Sequence, residues 1–224
     1  MSNITRTWQR IACVAIAATV ALGPAVAASE DVAGFFRSVQ MDDAGTVQKM
    51  LAAGKVSPNA VDPASGESGL ILALREGSAR VAAALLAQPV LDLELKAPNG
   101  NTALMMAAFK HNKPAVLALL AKGAIVNRPG WTALHFSAAS GDAEITRILL
   151  DHHAYIDAEA PAKFTPLMIA AREGHESTVQ LLLDEGADAS LKNTESLTAA
   201  QIALRADKPR IAAAIAAHLA AHQR

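Results

Sequence analysis

The feature that most constrains this chain is a period of roughly 33 residues running through almost all of it. A small or short apolar residue recurs at Val39, Ala73, Ala107, Ser137, Ala170 and Ala203, at spacings of 34, 34, 30, 33 and 33. Twelve residues after each stands an aliphatic side chain: Leu51, Leu85, Leu119, Leu149, Leu182 and Ile215. Two landmarks kept in register over six units identify stacked copies of one supersecondary element, each too small to bury its apolar face alone.

Each unit reads as two short helices. In the fifth, Thr165-Pro166-Leu167 opens a helix, with Pro166 suited to its first turn, and Gly174 ends it. The second helix carries Val179, Leu181, Leu182 and Leu183 and stops at Gly186, which suits a left-handed cap. A polar, turn-rich stretch, 187–195, leads to the next unit. The chain is 52% hydrophobic yet only 4% aromatic, so the core must be built from Ala, Leu, Val and Ile. That composition suits closely packed helices better than a β-sandwich.

The run Thr165-Pro166-Leu167-Met168-Ile169-Ala170-Ala171-Arg172-Glu173-Gly174-His175, followed by Leu181-Leu182-Leu183-Asp184-Glu185-Gly186-Ala187-Asp188, resembles the ankyrin repeat. Thr132-Ala133-Leu134-His135 with Gly141 and Ile148-Leu149-Leu150 resembles it in the fourth unit, and Gly100-Asn101-Thr102-Ala103-Leu104 with Lys122-Gly123-Ala124 in the third. The resemblance implies an all-α solenoid of stacked helix-turn-helix units joined by hairpin-like fingers. The resemblance runs from about Phe35 to about His222, and 28–224 is expected to form a single domain, with units near 35–67, 68–101, 102–131, 132–164, 165–197 and 198–222. The first and last would act as caps.

Several units depart from the pattern. Ser68-Gly69-Leu70-Ile71 stands where the family has Thr-Pro-Leu-His, and Pro89 replaces a cap glycine. His111 and His153 occupy glycine slots, so both must accept left-handed backbone. Residues 127–131, Asn-Arg-Pro-Gly-Trp, are three shorter than the corresponding later segment, which predicts a truncated finger with Trp131 lying over the neighbouring helices.

The first residues differ from the rest. Arg6 and Arg10 precede an apolar run from Ile11 to Leu22, then Gly23-Pro24 and Ala25-Val26-Ala27. This is the pattern of a cleavable signal peptide over 1–27, with cleavage expected after Ala27 or Ala28. The run is shorter than the roughly 17–25 residues that span a bilayer. Export to a periplasm is the expectation, with secretion as the alternative and no membrane attachment after cleavage. The single cysteine, Cys13, would leave with the signal, so the mature chain has no thiol for a disulfide, metal or nucleophile. Twenty basic residues face 21 acidic ones. That balance gives no excess for phosphates, so nucleic acid is not expected as a partner.

No constellation points to catalysis. No nucleophile elbow or phosphate-cradling loop is present, and Gly66-Glu67-Ser68-Gly69 is a repeat junction in register. His135 and His175 occupy positions where the resemblance implies structural roles. His152 and His153 are adjacent on a helix end and point apart. His218 and His222 have helical spacing without an evident third ligand. No cofactor, no metal and no enzymatic activity are expected.

The resemblance implies that a partner protein is bound by the fingers and the concave face of the first helices. At the positions that would set specificity stand Leu72 and Arg75, then Met106, Phe109 and Lys110, then Phe136 and Ser140, then Ile169, Arg172 and Glu173, with Trp131 close by. The middle of this stripe is apolar and its rim charged, the composition of an anchor inside a polar ring. The chain is expected to be a monomeric, non-enzymatic module that binds and regulates or scaffolds another envelope protein. The alternative is a secreted effector acting on a host protein, and the scattered histidines alone speak for an enzyme or metal binder.

Overall fold

The computed structural model describes residues 24–222, with side chains from Ser29 onward. The expected signal segment lies outside the described residues as far as residue 23. Twelve α-helices form six antiparallel pairs among the described residues. The first helices of the pairs are α1 (Pro24–Gln40), α3 (Gly69–Glu76), α5 (Ala103–Phe109), α7 (Ala133–Ser140), α9 (Pro166–Glu173) and α11 (Ala199–Arg205). The second helices are α2 (Ala44–Ala52), α4 (Ala79–Leu86), α6 (Lys113–Ala121), α8 (Ala143–Asp151), α10 (Glu176–Asp184) and α12 (Pro209–His222). First helices pack on first helices throughout the stack, and second helices pack on second helices from α2 to α6 and from α8 to α12.

Local chemistry sets the boundaries. Ser68, Thr165 and Thr198 cap first helices by accepting from the backbone N–H of Ile71, Met168 and Gln201. Asp43, Asn112 and Asp142 do the same for second helices. Between the two helices of every pair the chain turns through one left-handed residue: Asp42, Gly77, His111, Gly141, Gly174 and Asp207, with φ between 53° and 94°. His153, in a cap position where Gly54, Gly123 and Gly186 serve other units, has φ 63°. Both histidines adopt the left-handed backbone that their slots demand.

The periodic landmarks are the interior. Val39, Ala73, Ala107, Ser137, Ala170 and Ala203 are all at most 1% exposed, as are Leu85, Leu119, Leu149, Leu182 and Ile215, while Leu51 is partly buried. Each fully buried leucine contributes about 1.5–3 kcal/mol of transfer free energy. The small residues at the first landmark let neighbouring first helices approach. The apolar interior falls into two clusters that meet in the fourth unit, where Leu150 touches both. The meeting point is polar. His135, Ser137 and Thr146 are fully buried there, with Ser137 donating to the Leu134 carbonyl (3.1 Å) and the Thr146 hydroxyl 2.9 Å from Ser137 Oγ.

Fingers join the units. Backbone pairing closes them between Asp62 and Glu67 (2.8 Å), Ala97 and Asn101 (2.9 Å), Ala160 and Phe164 (2.9 Å), and Asn193 and Leu197 (3.0 Å). No such pairing forms across 127–131 among the described residues. Side chains tie each unit to the next: Asn59 bridges to the Val90 carbonyl and Asp92 N–H, and Asn127 to the His153 carbonyl and Tyr155 N–H. At the opposite edge the His175 ring lies over Gly141 and its Nε2 sits 3.0 Å from the Ala139 carbonyl.

Candidate functional site

The expected contact stripe divides into a buried row and an exposed one. Leu72 and Ile169 are 0% and 1% exposed and Met106 is 8% exposed, so these three leave the candidate surface. Their position, one residue before the small-residue landmark, faces the neighbouring first helix and is closed over by the stack. Phe136 shares that position but stays half-buried, packed on the first apolar cluster. The accessible row lies three residues further on, toward the C-terminal end of each first helix: Arg75, Phe109, Ala139, Arg172 and Arg205. Its middle is apolar and its ends are cationic.

Four rings make that middle continuous. Phe109, 44% exposed, meets Phe136 edge-on at 6.1 Å between centroids. Phe136 meets Trp131 at 6.2 Å, and Trp131, 39% exposed, meets the His135 ring at 5.4 Å. Edge-to-face pairs at these distances hold rings in fixed orientation. The short finger at 127–131 places Trp131 beside Phe136. His135 is the buried foundation: its Nδ1 accepts from the Thr132 N–H (3.3 Å) and its Nε2 lies 3.0 Å from the Phe164 carbonyl. That pairing fixes a neutral ring, and burial holds its proton affinity below the usual histidine range.

Charged side chains flank the rings. Arg75 pairs with Glu67 (2.9 Å) and Glu76 (3.2 Å), and Arg172 with Glu173 (2.9 Å). Lys110 is exposed and has no ion pair among the described residues. Ser140 is half-buried and its Oγ lies 3.3 Å from the Ala108 carbonyl, so it ties α7 to α5. Of the finger residues, Lys96, Asn99, Lys163, Lys192 and Glu195 are exposed. Arg128 is largely buried and paired with Glu94, which withdraws it from the surface.

The sequence stripe did not extend to a hollow of about 350 Å³ between the fifth and sixth units, bordered by Phe164, Arg172, Asn193, Glu195 and Arg205. The Arg172 guanidinium lies 5.5 Å from the Phe164 ring centroid, and Arg205 pairs with Glu195 at 2.6 Å. The signal for it was present: Arg205 stands two residues after its landmark Ala203, as Arg75 and Arg172 do after theirs.

Nothing in the described residues gathers three His, Cys, Asp or Glu in metal-binding proximity. The His218 and His222 rings stack on each other at 4.1 Å, and His222 Nδ1 lies 2.8 Å from the His218 carbonyl. No described helix is long and apolar enough to cross a membrane.

Comparison with known proteins agrees with this architecture. The family pattern described as ankyrin repeats (3 copies) matches residues 35–129 and 122–193, more than half of the chain. SH3 and multiple ankyrin repeat domains protein 2 of Homo sapiens is 32% identical over 160 residues, 70% of this chain and 9% of that protein. Nuclear factor NF-kappa-B p105 subunit of Mus musculus is 35% identical over 143 residues, 59% of this chain and 14% of that protein. Protein fem-1 homolog A-like of Mus musculus is 38% identical over 104 residues, 45% of this chain and 16% of that protein. The chain thus corresponds to a small part of each relative, and what is shared is the repeat. A stack of this kind is a protein–protein interaction module, and the chain belongs to the ankyrin-repeat family.

Proposed function

We propose that the chain is an exported, non-enzymatic binding module that docks on another envelope protein in the periplasm and regulates or scaffolds it. One observation carries the reading: the ring cluster of Phe109, Trp131 and Phe136 lies open at the centre of a row whose other members are mostly charged. Exposed aromatic side chains held rigidly inside a charged rim are the usual energetic centre of a protein interface. The basic start, apolar run and small-residue end of residues 1–27 support the export part of the reading.

The test is a crosslinking pull-down from the cell envelope with wild type and a Phe109→Ala/Trp131→Ala variant. Both side chains are substantially exposed, so the variant keeps the core, and circular dichroism checks that it does. A partner captured by wild type and lost by the folded variant is the expected result. Equal capture by both would remove the ring cluster from the interface. The mass of the envelope-extracted chain reports export directly, with the N-terminus expected at Ala28 or Ser29. A full-length mass would sink the signal-peptide reading.

A further inference from the structure

We propose that this face takes an extended acidic protein segment at two points. An apolar side chain of the segment sits on the Phe109–Trp131 rings. A carboxylate about five or six residues away enters the hollow between the fifth and sixth units. The inference rests on the interaction reading above and adds the chemistry of the partner.

The hollow is built for an acceptor-only group. Phe164, Leu197 and Ile202 supply apolar lining, and Arg172 and Arg205 supply cations. Asn193, 5% exposed, lines it as well. Its Oδ1 is fully engaged, accepting from the N–H groups of Glu195 and Leu197, both at 3.0 Å. That fixes the amide plane, and the NH2 end has no acceptor among the described residues. Two guanidinium groups and an amide donor without a protein acceptor on one hollow match a carboxylate, which accepts and cannot donate.

The chain's own acids hold these positions only loosely. Glu195 on Arg205 and Glu173 on Arg172 are exposed partners, with side chains 59% and 41% accessible. Ion pairs at that exposure contribute little net stability, so an incoming carboxylate exchanges for Glu195 or Glu173 at small cost. Lys110, beside the rings and without an ion pair among the described residues, favours the same sign of partner along the intervening face. Two arginines on one hollow, in a chain of net charge −1, fall well short of the basic track that a nucleic acid backbone needs.

The spacing follows from the stack. The rings straddle α5 and α7, and the hollow lies by α9 and α11, two first-helix steps along. Packed helices lie about 8–10 Å apart, so the two points are roughly 16–20 Å apart. An extended chain advances about 3.3 Å per residue, which gives five or six residues between anchor and acid.

The experiment uses 14-residue fluorescent peptides of Ser and Thr carrying one Trp and one Asp, two to nine residues apart in both orders. Binding to the wild-type chain is read by anisotropy up to millimolar peptide. The expected result is an optimum at five or six residues in one order, weakened by salt and reduced about tenfold when Asp becomes Lys. Arg205→Ala flattens the dependence on Asp position, whereas Glu195→Gln tightens Asp peptides and leaves a matched set with Asn in place of Asp unchanged. Phe109→Ala weakens all peptides alike. Binding that ignores the position of Asp, or is untouched by Arg205→Ala and Glu195→Gln, overturns the two-point inference and leaves the ring anchor standing. Failure of every peptide to bind, or full binding by Phe109→Ala, overturns the anchor reading as well.

Discussion

Gly141 shows how much one position can be asked to do. Its φ of 76° belongs to the left-handed turn between α7 and α8, and a Cβ there would stand 2.3 Å from His175 Nδ1. Gly123 has a similar φ of 84° with nothing within 4 Å of a Cβ. The two separate backbone strain from crowding. Gly123→Ala is expected to cost about 1 kcal/mol, the usual penalty for a side chain in left-handed backbone. Gly141→Ala adds displacement of the His175 ring and loss of its contact with the Ala139 carbonyl, and is expected to cost about 2–3 kcal/mol. Urea midpoints of the two variants measure the difference, and equal losses would show that the ring swings away freely. Left-handed positions were readable from the sequence because glycine marks most of them, and His111 and His153 could be placed by register. That the His175 ring covers Gly141 was not readable, since it depends on how far one unit is rotated on the next.

At the scale of the element, α7 is the odd helix. At the positions of His135 and Ser137, α3, α5 and α9 bury Ile71, Met105 and Met168 with Ala73, Ala107 and Ala170, whereas α7 buries a histidine and a serine. Burial keeps His135 from taking a proton that the unfolded chain accepts near the usual 6.5. The unfolded state then binds more protons below that pH, so stability falls as pH drops through about 6.5, by up to about 1.4 kcal/mol per unit for one proton. Asp157, whose carboxyl burial pushes upward, acts in the opposite sense and is common to both proteins in a comparison. His135→Gln is therefore expected to be less stable at pH 7.5 yet to lose less on acidification to pH 5.5, as read by denaturant melts. An unchanged slope would mean that the ring takes up its proton without cost. The helix pairs themselves were legible because propensity, caps and the 33-residue period agree. The division of the stripe into a covered and an open row was not. Leu72, Met106 and Ile169 occupy exposed-looking helical positions, and only the neighbouring unit closes over them. The hollow at Arg172 and Arg205 escaped for the same reason, as its walls come from two units and a finger.

At the scale of the whole molecule, contacts run between neighbours along the stack, so stability accumulates unit by unit. Two apolar clusters meeting at the fourth unit divide that sum into a larger N-terminal part and a smaller C-terminal one. Native-state hydrogen exchange is expected to resolve two opening units, α1–α6 and α9–α12, with the amides of α7 and α8 following whichever part opens first. A single opening free energy for all protected amides would show that Leu150 and the shared helices make the stack fully cooperative. The polar layer in the middle has a mechanical side too. Apolar contacts yield gradually as surfaces slide, while the hydrogen bonds of Ser137, Thr146 and His135, all made within the fourth unit and its finger, resist until they are stretched by a fraction of an ångström. Pulled from its ends, this molecule is a spring with a stiff middle coil, and the aromatic rings clamp that coil to the one before it.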